Sequence, residues 1–296
     1  MATVPDSPVH ASAPPYRLLL CPNCDVVFSD PVPCVSGDWY VGQVMYAIRD
    51  HLTEPVLQWN HRQFLKDLPA KGGLLLDVGC GTGGFLAVAR QEGYTVEGLD
   101  FDPEAVRMAQ ERFGLNDVFT GNVDEFLTQR PRKRYDVVTA FEVLEHTTAP
   151  REFIRELVGL LAPGGYLALS VPNRERRPAF DYDWDCPPHH LTRWSASALV
   201  SLLERSGLQV KRIATGWCQG EPLLHQLLQF GLVSRLVGSR QDGAAGNHDR
   251  SLAAASLAYR LKHLAVKALA VPVNAVLSLV GDTGMNLYVL AERNER

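Results

Sequence analysis

The chain has no excess of positive charge. Its 29 Lys and Arg face 33 Asp and Glu, for a formal net charge of −4 and a pI near 6.1, so no global field gathers polyanions around it and nucleic acid is not expected as a partner. The small basic runs, Arg130, Arg132, Lys133 and Arg134 and then Arg174, Arg176 and Arg177, read as solvated loop faces. Cysteine is scarce too. Six in 296 residues make no disulfide framework and fit a reducing cytoplasm. Long apolar runs are missing: the uncharged stretch from Ala268 to Gly281 is too short to span a bilayer and is interrupted by Pro272. Met1 to Pro15 has no basic patch followed by an apolar run, which predicts no secretory signal and a disordered tail. A cytoplasmic chain without a transmembrane segment is the expectation.

A composition that is 46% hydrophobic and 21% charged supports one large α/β domain with attachments, or two modest ones. From Leu74 onward, short apolar runs alternate with helical patterns, the mark of a doubly wound, mostly parallel sheet with helices on both faces. The runs predict seven strands: Leu74–Val78, Thr95–Leu99, Val118–Thr120, Tyr135–Ala140, Tyr166–Val171, Leu208–Ala214 and Asn286–Leu290. Pro103 suits a first helical position, Ser195 an N-cap, and Gly93, Gly114 and Gly207 helix stops. After Pro150, Phe153, Ile154, Leu157, Leu160 and Leu161 share one helical face, as a helix covering a sheet requires. A further helix is expected around Val56 to Leu68. The predicted organisation is an N-terminal tail and hairpin over 1–40, a main domain with a helical cap over 41–215, a helical insertion over 216–285, and the last strand of the sheet over 286–296.

The segment from Leu74 to Phe85 ends a strand and opens a helix through a glycine-rich turn, where backbone can approach a ligand closely. Gly79, Gly81 and Gly84 match the spacing of an NAD-binding turn, and Asp100 follows at the distance of a ribose-binding acid. A dehydrogenase is therefore one reading. Asp77 opposes it: a carboxylate just before the turn would repel a pyrophosphate, but suits a ligand that presents an ammonium and a sulfonium, as S-adenosylmethionine (SAM) does.

Asp77-Val-Gly-Cys-Gly-Thr-Gly resembles the first motif of class I SAM-dependent methyltransferases, and Gly98-Leu-Asp-Phe-Asp-Pro their second. Phe141-Glu-Val-Leu-Glu-His resembles the fourth-strand motif of the ubiquinone-type O-methyltransferase group, and Leu161-Ala-Pro-Gly-Gly-Tyr-Leu the turn into the fifth strand. Pro187-Pro-His-His-Leu-Thr-Arg-Trp-Ser is similar to a segment of that group and of its sugar C-methyltransferase relatives. The resemblance covers Gly72 to about Ala214 and implies a Rossmann-like methyltransferase fold. It implies that Asp77 and the backbone of Gly79, Gly81 and Gly83 hold the methionine end of SAM, and that Asp100 accepts from both ribose hydroxyls. Phe101 would lie along the adenine, with Asn122 and Val123 at its edge; Asn122 stands where the family usually has an Asp. Phe141 and Glu142 would lie beside the transferred methyl. The bland alternatives are a purely structural turn, Asp100 as a helix cap, and Glu145 and His146 bonding within a loop.

Methyl transfer needs alignment of donor and acceptor more than chemistry, and no metal is assigned. A hydroxyl or acidic carbon acceptor must lose a proton, for which His190, His146 and His189 are the candidates; His190 matches the histidine proposed as base in the sugar C-methyltransferases. The expected function is methyl transfer to an oxygen or carbon of a small molecule such as an isoprenoid, a sugar or a specialised metabolite. A catalytically silent SAM-binding module is the second reading. Tyr16 to Phe28 resembles one knuckle of the zinc-ribbon segment that precedes many such domains, but Cys21, Cys24, Cys34 and a distant His10 are a poor ligand set, so a relic hairpin packed on the domain is expected. The insertion is read as a lid over the acceptor, with a homodimer interface and a peripheral membrane contact as its rivals.

Overall fold

The computed structural model describes residues 2–3, 16–32, 55, 57–67, 72–176, 185–216, 224, 268–276, 279 and 284–294. The chain divides into two compact units: Met1–Glu175 with Ala179–Gly216 and Asn286–Arg296, and Arg176–Pro178 with Trp217–Met285. Of the insertion, 268–276 is helical; most of the rest, and with it the lid expectation, lies outside the described residues, as do Cys34 and His10. No helix among the described residues is long and apolar enough to cross a membrane.

The first unit is built on a seven-stranded sheet. Its strands are β4 (Leu74–Val78), β5 (Thr95–Asp100), β6 (Val118–Thr120), β7 (Tyr135–Phe141), β8 (Leu161–Pro172), β10 (Leu208–Thr215) and β11 (Asn286–Arg293). Their spatial order is β10-β11-β8-β7-β4-β5-β6. β6, β5, β4, β7 and β8 pair in parallel, while β11 runs antiparallel to both its neighbours. The mostly parallel α/β sheet expected from the alternating runs is what forms.

Strands buried on both faces explain the near-continuous apolar sequence of β4. Leu75 points to one face, where it joins Phe64 of helix α1 (Trp59–Asp67), Phe85 and Leu86 of α2 (Gly84–Gln91) and Ala109 of α3 (Pro103–Phe113). Leu76 points to the other, with Phe126 of α4 (Val123–Gln129), Ile154 and Leu157 of α5 (Pro150–Leu160) and Leu199 of α6 (Ala196–Arg205). Local signals act as expected at several ends: Pro103 opens α3 and Gly114 closes it in the left-handed region, and the Ser195 hydroxyl accepts from the Ala198 N–H at the start of α6.

Three features differ from expectation. β8 begins at Leu161 rather than Tyr166, because Leu161 pairs with Tyr135 before the register shifts, so Val137 meets Tyr166 and residues 162–165 form a bulge within the strand. The N-terminal hairpin packs on the domain as expected, but it does so by strand pairing and includes residues placed in the tail. β2 (Arg17–Leu20) and β3 (Val27–Asp30) form a small sheet with β9 (Thr192–Arg193), and Ala2–Thr3, placed in the disordered tail, pair as β1 with β2. Asp25 carries a left-handed φ of 55° and ties the hairpin down: its carboxylate accepts from Arg174 at 2.7 Å and from the Ser195 hydroxyl at 2.5 Å. Finally, the basic runs are not merely solvated. Lys133 bonds the buried carboxylate of Glu97, which also accepts from Tyr135, and the Arg130 guanidinium lies 4.1 Å over the Phe119 ring.

Candidate functional site

The glycine-rich turn and the loop after β7 lie at the C-terminal ends of the parallel strands, the crevice where open α/β sheets take ligands. Two glycines in the turn serve different ends. At Gly79, with φ of 77°, an added Cβ would come within 2.5 Å of Val143 Cγ2, so the turn and the β7 loop pack backbone to side chain. At Gly81, with φ of 52°, a Cβ would meet nothing within 4 Å. That side of the turn is open to a ligand. Gly79→Ala is therefore expected to destabilise the fold by ~1–3 kcal/mol, whereas Gly81→Ala should cost ~1–2 kcal/mol yet lose more in ligand affinity. Thermal melts beside ligand titrations separate the two, and equal effects in both variants would refute the distinction. Gly83, also left-handed, is the N-cap of α2.

Two buried carboxylates flank the turn. Asp77 is 4% exposed and accepts from the Thr139 hydroxyl at 2.6 Å; burial, only partly offset by that bond, and then the Asp100 charge push its pKa to about 7. Asp100 ends β5. Its Oδ2 accepts the Gly81 N–H at 2.7 Å and its Oδ1 the Asp102 N–H at 2.9 Å, and burial raises its pKa. A carboxylate has about four acceptor sites, so each oxygen retains capacity for a hydroxyl. Asp100 is not the cap of α3: Asp102 is, accepting from the Glu104 N–H. Next to it the Phe101 side chain is 46% exposed, a platform at the strand end. Asn122 does cap a helix. Its Oδ1 accepts the Glu125 N–H at 2.9 Å, which occupies one lone pair of the oxygen considered for adenine, and Val123 begins α4 with its side chain buried in the core.

The loop after β7 carries the second half of the site. The Phe141 ring is held edge-on by Phe85 at 5.3 Å and by His61 at 5.1 Å. Glu142 is one of two described non-glycine residues with positive φ, at 56°. Strain of this kind persists where surrounding contacts fix it. Here the Ser170 hydroxyl and the Asn286 amide donate to the Glu142 carboxylate at 2.6 and 2.8 Å, and Asn60 donates to Ser170. A short 3₁₀ turn, Leu144–His146, follows.

His146, His189 and His190 are brought together. One ring nitrogen from each lies within 4.8 Å of the others, and the rings of His189 and His190 stack at 4.5 Å. The Leu191 N–H donates to the Glu145 carbonyl and fixes this approach. His190 is 4% exposed, its Nδ1 2.9 Å from Asp185 Oδ1; His146 Nδ1 is 2.6 Å from the His189 carbonyl oxygen. Burial, then the neighbouring imidazoles, hold the His146 pKa well below its usual value. Sequence reasoning missed Asp185, Thr139 and Ser170. None belongs to a motif; Thr139 and Ser170 act on residues brought near by the fold, and Asp185 on a residue five positions along the chain.

A family model described as a methyltransferase domain matches residues 48–213. A probable S-adenosylmethionine-dependent methyltransferase of Mycolicibacterium smegmatis is 33% identical over 139 residues, 46% of this chain and 52% of that protein. A ubiquinone biosynthesis O-methyltransferase of Coxiella burnetii is 29% identical over 180 residues, 53% of this chain and 75% of that protein. The chain thus spans about half the length of the first relative and three quarters of the second. Among solved structures, a SAM-dependent methyltransferase from Archaeoglobus fulgidus superposes with a TM-score of 0.51 at 17% identity, covering 78% of this chain and 90% of that one, a likeness of fold.

Proposed function

The chain belongs to the family of S-adenosylmethionine-dependent methyltransferase domains, and from that premise we propose that it transfers a methyl group from SAM to an oxygen or carbon of a small-molecule acceptor. The observation that carries this reading is the pair of buried carboxylates, Asp77 and Asp100, on adjacent parallel strands around a turn whose Gly81 side is open. The residues fit the donor. Asp77, beside the close-approaching backbone of Gly79, Gly81 and Gly83, offers a carboxylate for the ammonium of an amino acid end; Asp100 offers acceptors for a ribose diol, and Phe101, Asn122 and Val123 a platform and edge for a base. When bound, SAM supplies a methyl already activated on a sulfonium. Phe141 and Glu142 align the acceptor and exclude water. The acceptor loses its proton at the histidine cluster, where His190 is anchored by Asp185 and His146 and His189 complete the wall. The relative from Coxiella burnetii is named for an O-methylation, which favours an oxygen. Detection of S-adenosylhomocysteine formed on candidate phenols and sugars tests the proposal; SAM binding without turnover on any acceptor would leave a silent binding module instead.

The shifted Asp77 pKa gives this reading a pH signature. Protonation below about 7 removes the negative charge that attracts the donor's ammonium, so SAM affinity should fall as pH drops through 7. The donor's α-amino group loses its own charge above ~8, so affinity peaks between. Titration calorimetry across this range should find a proton released from Asp77 on binding at the acid end. Asp77→Asn should bind more weakly and lose the acid limb; an unaltered acid limb in that variant would remove Asp77 from the donor site.

A further inference from the structure

We propose that the N-terminal hairpin and helices α5 and α6 enclose a second small-molecule site, for a single aliphatic chain headed by a carboxylate, such as a medium-chain fatty acid. A cavity of about 660 Å³ lies between these elements, within the size range of small-molecule sites. Its floor is apolar and closed: Leu191, Trp194 and Ala198 line it and are no more than 3% exposed. Val26 and Phe28 of the hairpin and Leu202 of α6 complete the walls. Thr147 and Leu191 line the cavity, whereas His146 and His190 beside them in the chain do not, nor do Asp77 and Asp100. It is therefore distinct from the donor turn and the histidine cluster.

The mouth supplies the charge. Arg151, Arg155 and Arg205 line the cavity and are exposed, with Glu152 as the single acid beside them. Arg155 pairs with Glu152 at 3.6 Å, whereas Arg151 and Arg205 have no hydrogen bond or ion pair with any described residue. Arg205 suits the last turn of α6, but Arg151 stands in the first turn of α5, where the field of the helix disfavours a cation. An anion bound beside it removes that penalty. Guanidinium groups take a carboxylate through paired N–H donors, and the apolar floor behind them takes a hydrocarbon chain out of water. A dianionic phosphate would bring its second charge toward Glu152, so a monoanionic head fits this mouth better.

The test uses the full chain, with decanoate as the probe in titration calorimetry. One equivalent should bind saturably, and acetate, the head group without the chain, should not bind. An Arg151→Gln, Arg205→Gln double variant should weaken decanoate binding by ~10–100-fold, the effect of losing charge-assisted hydrogen bonds. Ser201→Trp places a large ring in the cavity from α6 and should weaken binding at least ~10-fold. The two variants act on the mouth and on the volume, so if thermal melts show one of them unfolded the other still decides. Decanoate binding that survives in a folded variant overturns the site, as does tighter binding of decyl phosphate or no binding at all. Saturating decanoate should leave SAM affinity unchanged; displacement of SAM would put the chain in the donor crevice and overturn the second site.

Discussion

Replacing Asp100 with Ala is expected to weaken SAM binding by ~10²–10⁴-fold. Two hydrogen bonds from ribose hydroxyls to a carboxylate are worth ~1.5–3 kcal/mol each, and every 1.4 kcal/mol is a factor of ten. The same carboxylate holds the Gly81 N–H on one oxygen and the Asp102 N–H on the other, so its loss also loosens the turn. A fair test must separate the ligand effect from the loop effect, and Asp102 allows it. Asp102 caps α3, so Asp102→Ala should cost ~1 kcal/mol of stability, yet it leaves both Asp100 oxygens available and should change SAM affinity by only a few fold. Calorimetric titration of both variants, with thermal melts to confirm folding, decides the matter. Near-normal affinity in a folded Asp100→Ala variant would remove Asp100 from the ribose site.

The parts of the molecule that repeat a local pattern were legible in the sequence. The run Leu74–Val78 forms a strand with the expected limits because a central strand buried on both faces must be nearly continuously apolar, and the short edge strand Val118–Thr120 keeps its expected limits too. Residue type alone was a poorer guide to which of several similar side chains takes a given role. Asp100 and Asp102 are both acids near a helix start, and only φ and the direction of the carboxylate reveal that Asp102 is the cap. Asn122 reads equally well as a cap or as an adenine contact, and the cap is formed. The bulged residues 162–165 escape periodicity because Leu161 pairs on the neighbouring strand with Tyr135 before the register shifts. The surroundings of His190 were the least legible. Asp185 lies five positions earlier outside any motif, and Glu145 reaches the histidines only because β7 and the segment before β9 end side by side.

His190→Asn is expected to lower the rate of methyl transfer by ~10²–10⁴-fold, the range of a lost proton-transfer group, while SAM affinity stays within a few fold. Asparagine can still hydrogen-bond toward Asp185, so the loop between Cys186 and Leu191 should keep its path. What it loses is the imidazole Nε2, the atom that faces Glu145 at 3.9 Å and would take the acceptor's proton. Asp185 touches only the far side of the ring, so it is a positioning residue. Asp185→Asn should cost less, ~10–100-fold, with the loss in kcat rather than in KM for SAM. Single-turnover measurements with SAM saturating read the chemical step alone. A merely structural His190 would show itself in two ways: the Asn variant would regain most of the activity missing from His190→Ala, and Asp185→Asn would lower thermal stability without slowing transfer. Should both His190 variants turn over at the full rate, the acceptor is an amine that releases its proton to solvent or a group already ionised, and an oxygen or carbon acceptor must be withdrawn.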